Sequence, residues 1–169
     1  VGIMGDRIVA IGDLSEAEGD VEIDAEGLAV TPGFINMLSH ATVSLIVDPR
    51  AMSDIKQGVT LEVFGEISMG PMSPAMKEAT LARQGDVKYD IVWDTLGEYL
   101  DYLADRGIAP NVASFVGAST IRANVIGYED RAPSEAELVR MQDLVREAME
   151  EGAMGVTTAL IYTPAFFAN

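Results

Sequence analysis

The stretch Thr95–Gly117, TLGEYLDYLADRGIAPNVASFVG, carries the information that decides the fold. Thr95 and Glu98 stand in capping-box spacing, in which each side chain satisfies a free backbone N–H at a helix start. Behind them Leu96, Tyr99, Leu100 and Leu103 fall on one helical face. Gly107 ends the helix, because glycine reaches the left-handed backbone that a helix terminus needs. NVASFVG then reads as a strand. The same helix–Gly–strand order is expected twice more. Asp48-Pro49 has the form of an N-cap followed by a first-turn proline, predicting a helix that ends at Gly58 before VTLEVFG. Ser134 and Glu137 form a second capping box after Pro133. Leu138, Met141, Val145 and Met149 supply its apolar face, and Gly152 precedes GVTTALIY.

These units repeat at about 45–50 residues, the length of a βα unit with a generous loop. Alternating units of this kind predict an α/β fold with a parallel sheet and right-handed crossovers. With AVTPGFINML as the first strand, residues 34–38, 59–65, 111–117 and 154–161 are expected to lie adjacent and parallel in that order. An eight-stranded (β/α) barrel needs roughly 250 residues, so four strands and three helices amount to about half of one. A flavodoxin-like open sheet is the alternative, but no Gly-rich phosphate loop follows the first strand. Before Val30 the pattern is different. VGIMGDRIVAIGD has a Gly5-Asp6 hairpin signal, and VEIDAEGLAV repeats the form around Glu26-Gly27, predicting a small β layer.

Composition narrows the function. The 169 residues are 49% apolar, carry a net charge of −16 and include no cysteine. The apolar share supports a packed core. Such an acidic chain is not expected to bind nucleic acid or an anionic membrane, both of which need a basic surface. There is neither a run of transmembrane length nor a basic-then-apolar signal segment. Disulfides and thiolate chemistry are excluded within the chain, which is consistent with the expected cytoplasmic location. The chain does not start with Met, and its first residues already read as a strand, so the N-terminus is expected to be cut or incomplete.

Parallel barrels place their chemistry at the C-terminal strand ends. Those ends are predicted at Met37–His40, Phe64–Glu66, Gly117–Arg122 and Leu160–Pro164, and each is polar. His40 is the only histidine, either a metal ligand or a polar residue satisfied at a strand end. Glu66 either offers carboxylate oxygens to a metal or accepts backbone N–H bonds in its turn. Arg122 has the planar fork that clamps a carboxylate, or it pairs with one of the many acidic groups. Tyr162 could bond the same carboxylate or pack its ring under the loop. Ser119 is a third substrate-binding candidate, although Ser119 and Thr120 are also suited to local bonds with backbone. Met69, Met72 and Met76, with Pro71 and Pro74, form an adaptable or packed loop.

GDRIVAIGD, VTPGFI, IKQGVTLEVFGE, SMGP, PNVASFVGASTIR and EGAMGVTTALIYTP together resemble the N-acyl-D-amino-acid deacylases, the D-aminoacylase branch of the amidohydrolase superfamily. The likeness runs over nearly the whole chain in order. It implies the N-terminal part of a (β/α)8 TIM-like barrel at 31–169, about four βα units, preceded at 1–30 by part of a small β-sandwich. It also implies hydrolysis of the amide (C–N) bond of a small-molecule N-acyl-D-amino acid by zinc-activated water, with Glu66 and His40 as candidate ligands. Ser119, Arg122 and Tyr162 are the candidate contacts to substrate.

The departures from the family pattern point elsewhere. After strand one the pattern resembles GFIDxHxH, whereas this chain has Asn36, Leu38 and His40. Leucine cannot ligate metal, and Ala118 stands where the family often has histidine after strand three. Zinc is therefore expected in a complete parent and only weakly or not at all in this chain, and no catalytic residue is assigned. A non-catalytic barrel descendant or fragment that binds a ligand or partner is the second reading. Open sheet edges on half a barrel predict a homo-oligomer.

Overall fold

The computed structural model describes residues 1–168 and divides the chain into two compact units, Val1–Pro32 and Gly33 onward.

In the first unit β1 (Gly2–Met4) and β2 (Arg7–Ala10) pair antiparallel across a two-residue Gly5-Asp6 turn, as the hairpin signal predicted. Gly5 takes φ 59°, a left-handed conformation natural to glycine. The second expected β piece is not a strand. Residues 21–30 hold only a turn closed by Leu28 N–H on Ala25 C=O at 2.8 Å. An extended run forms a strand only where a neighbouring backbone pairs with it, and none does so here among the described residues.

The second unit is a layered α/β structure. Its elements are β3 (Phe34–Ser39), α1 (Ser44–Val47), α2 (Met52–Ile55), β4 (Val59–Phe64), α3 (Pro74–Arg83), α4 (Leu96–Arg106), β5 (Asn111–Ser114), β6 (Val116–Gly117), α5 (Ala118–Val125), α6 (Glu135–Glu150) and β7 (Val156–Thr157). A 3₁₀ turn follows at Ala165–Phe167. β3, β4 and β5 form a parallel sheet in chain order. β6 continues the third strand after a break at Phe115 and pairs parallel with β7. Phe115 N–H still reaches back to Phe64 C=O, while Val116 N–H turns to Gly155 C=O, both at 2.9 Å. The third strand thus passes its hydrogen bonding from one neighbour to the other.

The expected parallel order stands, but the barrel does not close among the described residues. The fourth strand is also far shorter than the predicted 154–161. Beyond Thr157 the chain bends, with Tyr162 N–H bonded to Ala159 C=O at 3.2 Å.

Both capping boxes form as read, at Thr95/Glu98 and Ser134/Glu137, and Gly107 ends α4 with φ 71°. Asp48-Pro49 does not open a helix. Asp48 caps the end of α1 and accepts from the backbone N–H of Arg50 at 3.1 Å and from its Nε at 2.8 Å. That local turn uses the carboxylate, and α2 begins only after Ala51, at φ 45°. The methionine-rich stretch is partly helical. Ser73 accepts from Met76 N–H and Pro74 takes the first position of α3.

The core lies between the sheet and its helices. Phe64, Trp93, Leu96, Tyr99, Leu103, Val116, Ile121 and Leu144 are buried in one cluster. Trp93 stacks at a tilt on both Tyr99 and Tyr102, with centroids 5.1 Å apart in each case, and its indole N–H donates to Met69 C=O at 2.6 Å. Burial of each such aromatic contributes about 2–3 kcal/mol. No helix among the described residues is long and apolar enough to cross a membrane.

Candidate functional site

β3 and β4 run side by side, so their C-terminal ends open onto one place. Ser39, His40, Thr42, Gly65, Glu66, Ile67 and Met69 line a cleft of about 170 Å³ there. His40 is exposed at the mouth and Glu66 is half-buried. The floor is tied down locally, since the buried Ser39 hydroxyl accepts from Ala41 N–H at 3.1 Å. A groove of about 300 Å³ beside α5 and α6 is lined by Ala118, Ile121, Leu138, Met141, Val145 and Val156, with Gln142 its one polar side chain. With no titratable group, it offers no chemistry comparable to the cleft.

Glu66 occupies a left-handed backbone position, φ 54°. Ile67 N–H bonds to Gly65 C=O at 2.6 Å, closing a turn around it. The following residues are held by buried bonds. Ser68 N–H donates to Thr120 Oγ1 at 3.1 Å, and the Thr120 hydroxyl donates to Ser68 C=O at 3.2 Å. Thr120 therefore does not bond locally, as expected from sequence, but reaches 52 positions back along the chain.

Leu38, at the departure from the family's paired-histidine pattern, is about half exposed, with its Cδ1 near Gly65. A Cβ placed on Gly65 would lie 3.6 Å from Leu38 Cδ1 and 3.9 Å from Thr157 Cγ2. Leucine at this position brings no donor atom to the strand end, so a paired-histidine site is not formed there.

The remaining sequence candidates do not line this cleft. Arg122 is only 3% exposed, and its Nη2 donates to the carbonyls of Glu129 and Arg131 at 3.0 and 2.7 Å. Its Nε is buried without a partner. Ser119 is buried in the first turn of α5. Tyr162 is exposed in the bend after β7.

One polar group that sequence reading passed over is Glu62, wholly buried in the middle of β4. Asn36 Nδ2 donates to its Oε2 at 3.1 Å, and its Oε1 has no partner. A charged residue inside the apolar run VTLEVF was the available signal.

A structural zinc site usually takes four nitrogen, sulfur or oxygen ligands, and a catalytic one three plus water. The cleft supplies two candidate donors, His40 and Glu66. No group of three His, Cys, Asp or Glu converges among the described residues. These residues do not by themselves fit a zinc ion.

A parallel α/β sheet with a histidine and a carboxylate at its C-terminal edge has the layout of a (β/α) scaffold, which carries its chemistry at those strand ends. Comparison with known proteins narrows it. The chain is 40% identical over 167 residues to a D-aminoacylase of Alcaligenes xylosoxydans xylosoxydans, covering 98% of this chain and 34% of the relative. It superposes with TM-score 0.80 on a D-aminoacylase with a binuclear metal centre, at 33% identity, covering 99% of this chain and 36% of the other. The same TM-score, at 31% identity, relates it to an N-acyl-D-glutamate deacylase from Bordetella bronchiseptica complexed with zinc and a phosphonate inhibitor, over 96% and 34% of the two chains. No protein-family model matches. The chain is homologous to the D-aminoacylase and N-acyl-D-amino-acid deacylase family, and it spans about a third of the length of these relatives, their N-terminal portion.

Proposed function

We propose that this chain is the N-terminal share of a metal-dependent hydrolase acting on the amide bond of N-acyl-D-amino acids. In this reading, 31–169 is the first half of an amidohydrolase barrel and 1–30 is part of its small β-sandwich. The observation that carries the proposal is the cleft at the ends of β3 and β4, which His40 and Glu66 both line. Zinc, in a complete parent, would activate water for attack on the amide. Within this chain His40 and Glu66 are the groups able to contribute donors, and the rest of a ligand set would come from outside these residues. Tyr162, exposed near the fourth strand end, is the candidate for reaching a substrate carboxylate. The Arg122 fork instead fastens the 129–131 loop, with Ser119 buried beside it on the same helix.

Leu38, standing where the family pattern has its first histidine, favours the second reading, a non-catalytic descendant of the same scaffold. Hydrolysis of N-acetyl-D-methionine against its L enantiomer separates the two. The assay uses the 169-residue chain and any longer polypeptide read from the same gene, with zinc supplied. The deacylase reading expects D-selective turnover from the longer polypeptide and none from the chain alone. Absence of turnover from both, with the N-acetyl derivatives of D-aspartate and D-glutamate tried as well, would favour the non-catalytic reading. After dialysis, elemental analysis of the chain is expected to find well below one zinc per molecule.

A further inference from the structure

We infer that Thr120 and Ser68 are positioning residues for Glu66, holding its carboxylate at the cleft it shares with His40 by enforcing a strained turn. The inference rests on reading that cleft as the functional site. The bond from Ile67 N–H to Gly65 C=O spans two residues, and the residue between them has positive φ. These are features of the classic γ-turn, the rarer and more strained form. Glycine would occupy this position freely, so glutamate is the costlier choice. Such a residue persists where its surroundings over-determine it, and such positions cluster at functional sites.

The surroundings here can be named. Thr120 Oγ1 accepts from Ser68 N–H and donates to Ser68 C=O, so a single hydroxyl grips both ends of one residue. The Ser68 hydroxyl donates to Gly70 C=O at 2.5 Å and accepts from Gly117 N–H at 3.1 Å. Ser68, Thr120 and Gly117 are all buried. Gly117 lets the two segments approach, because a Cβ there would stand 2.5 Å from Glu66 C=O. The start of α5 is thereby clamped to the loop after β4. Glu66 lies between this clamp and the end of β4, so both flanks of its turn are fastened.

The 169-residue chain labelled with ¹⁵N-glutamate provides the test. At positive φ the amide and α protons of one residue lie close together, so Glu66 should give an unusually strong intraresidue Overhauser effect. Thr120→Val removes the hydroxyl and keeps the branched shape. The expected result is that the Glu66 signal falls to the intensity of the other glutamates while far-UV circular dichroism is unchanged, and that Thr120→Ser restores it. Glu66→Gly should raise the melting temperature by about 2–4 °C, and by less than half as much in the Thr120→Val background. A Thr120→Val chain that keeps the strong Glu66 signal, or an equal gain from Glu66→Gly in both backgrounds, would overturn the inference. If Thr120→Val fails to fold, Ser68→Ala and Thr120→Ser decide the matter, with loss of the signal expected in the first and retention in the second, and the reverse pattern refuting it. No metal, substrate or turnover enters these measurements, so they stand or fall separately from the hydrolase reading.

Discussion

Asn36 donates its side-chain amide to Glu62 at 3.1 Å across the β3–β4 pairing, and the other oxygen of this wholly buried carboxylate has no partner. The family-like pattern after strand one has Asp where this chain has Asn36. An aspartate at position 36 would set two carboxylates against each other where little water can screen them. Asn36→Asp is therefore expected to destabilise the chain by about 3 kcal/mol, and Glu62→Gln to be neutral or stabilising by up to about 1 kcal/mol. Urea unfolding at neutral pH checks both. Equal tolerance of the two substitutions would show that the pair is not sensitive to charge.

The acid limb of stability should depend on Glu137. Its carboxyl is held well below the usual carboxylate range, first by the side chain of Arg131, which bonds it at 2.7 Å, and then by Ser134. A carboxyl whose folded value is depressed adds stability above its unfolded value, near 4.5, and that stability is lost as pH falls through the folded value. Asp48, lowered to about 2 chiefly by its bond to the Arg50 side chain, acts in the same direction. Unfolding followed from pH 5 to pH 2 should show a shallower loss in Glu137→Gln than in the parent. Salt should weaken the difference, because the pair lies near solvent.

Tyr99 should be the last tyrosine to ionise. Burial pushes its phenol far above the ordinary value of 10, and its hydroxyl donates to Thr42 C=O at 2.9 Å. Here the folded value is raised, so the stabilising contribution is complete below pH 10 and fades as pH rises beyond it. Ultraviolet titration should show one of the five tyrosines ionising only as the chain unfolds. Tyr99→Phe should remove that late step and cost about 1 kcal/mol.

The isolated chain should not run as a monomer of about 18 kDa. Met37 is 60% and Ile161 75% exposed, and Ile35, Leu38, Leu160 and Phe166 are also open to solvent. Apolar surface of this kind drives association, while the charge of −16 keeps the product soluble. Light scattering after size exclusion should give a discrete oligomer at moderate salt. A sharp monomer peak with cooperative unfolding would contradict this.

What the sequence discloses depends on the distance over which each feature is encoded. Thr95/Glu98 and Ser134/Glu137 act within one turn, and both capping boxes are present. Gly107, Gly58 and Gly152 mark boundaries through their own backbone freedom, and the parallel strand order follows from them. Asp48-Pro49 misleads because the same residue pair suits a turn as well as a helix start. Ser73-Pro74, by contrast, carried a legible helix signal that the surrounding methionines obscured. The roles of Thr120, Arg122 and Glu62 were not legible. Each depends on groups brought together by the folded chain, whether backbone atoms far away in sequence or the burial of a strand centre, and no local pattern encodes those meetings. The placement of His40 and Glu66 at one cleft was legible because both stand where parallel strands end.

The break at Phe115 has a further consequence for how this sheet can grow. Asn111–Ser114 of the third strand pair with β4 and, past Phe115, Val116 and Gly117 pair with β7, so successive pairings advance like the steps of a staircase. The last step is a ledge two residues wide. A second chain approaching it meets too short a run of free backbone to lay down a long in-register strand. Fibrillar stacking needs a flat and extended template, and this slanted margin withholds one even while the side chains around it remain adhesive.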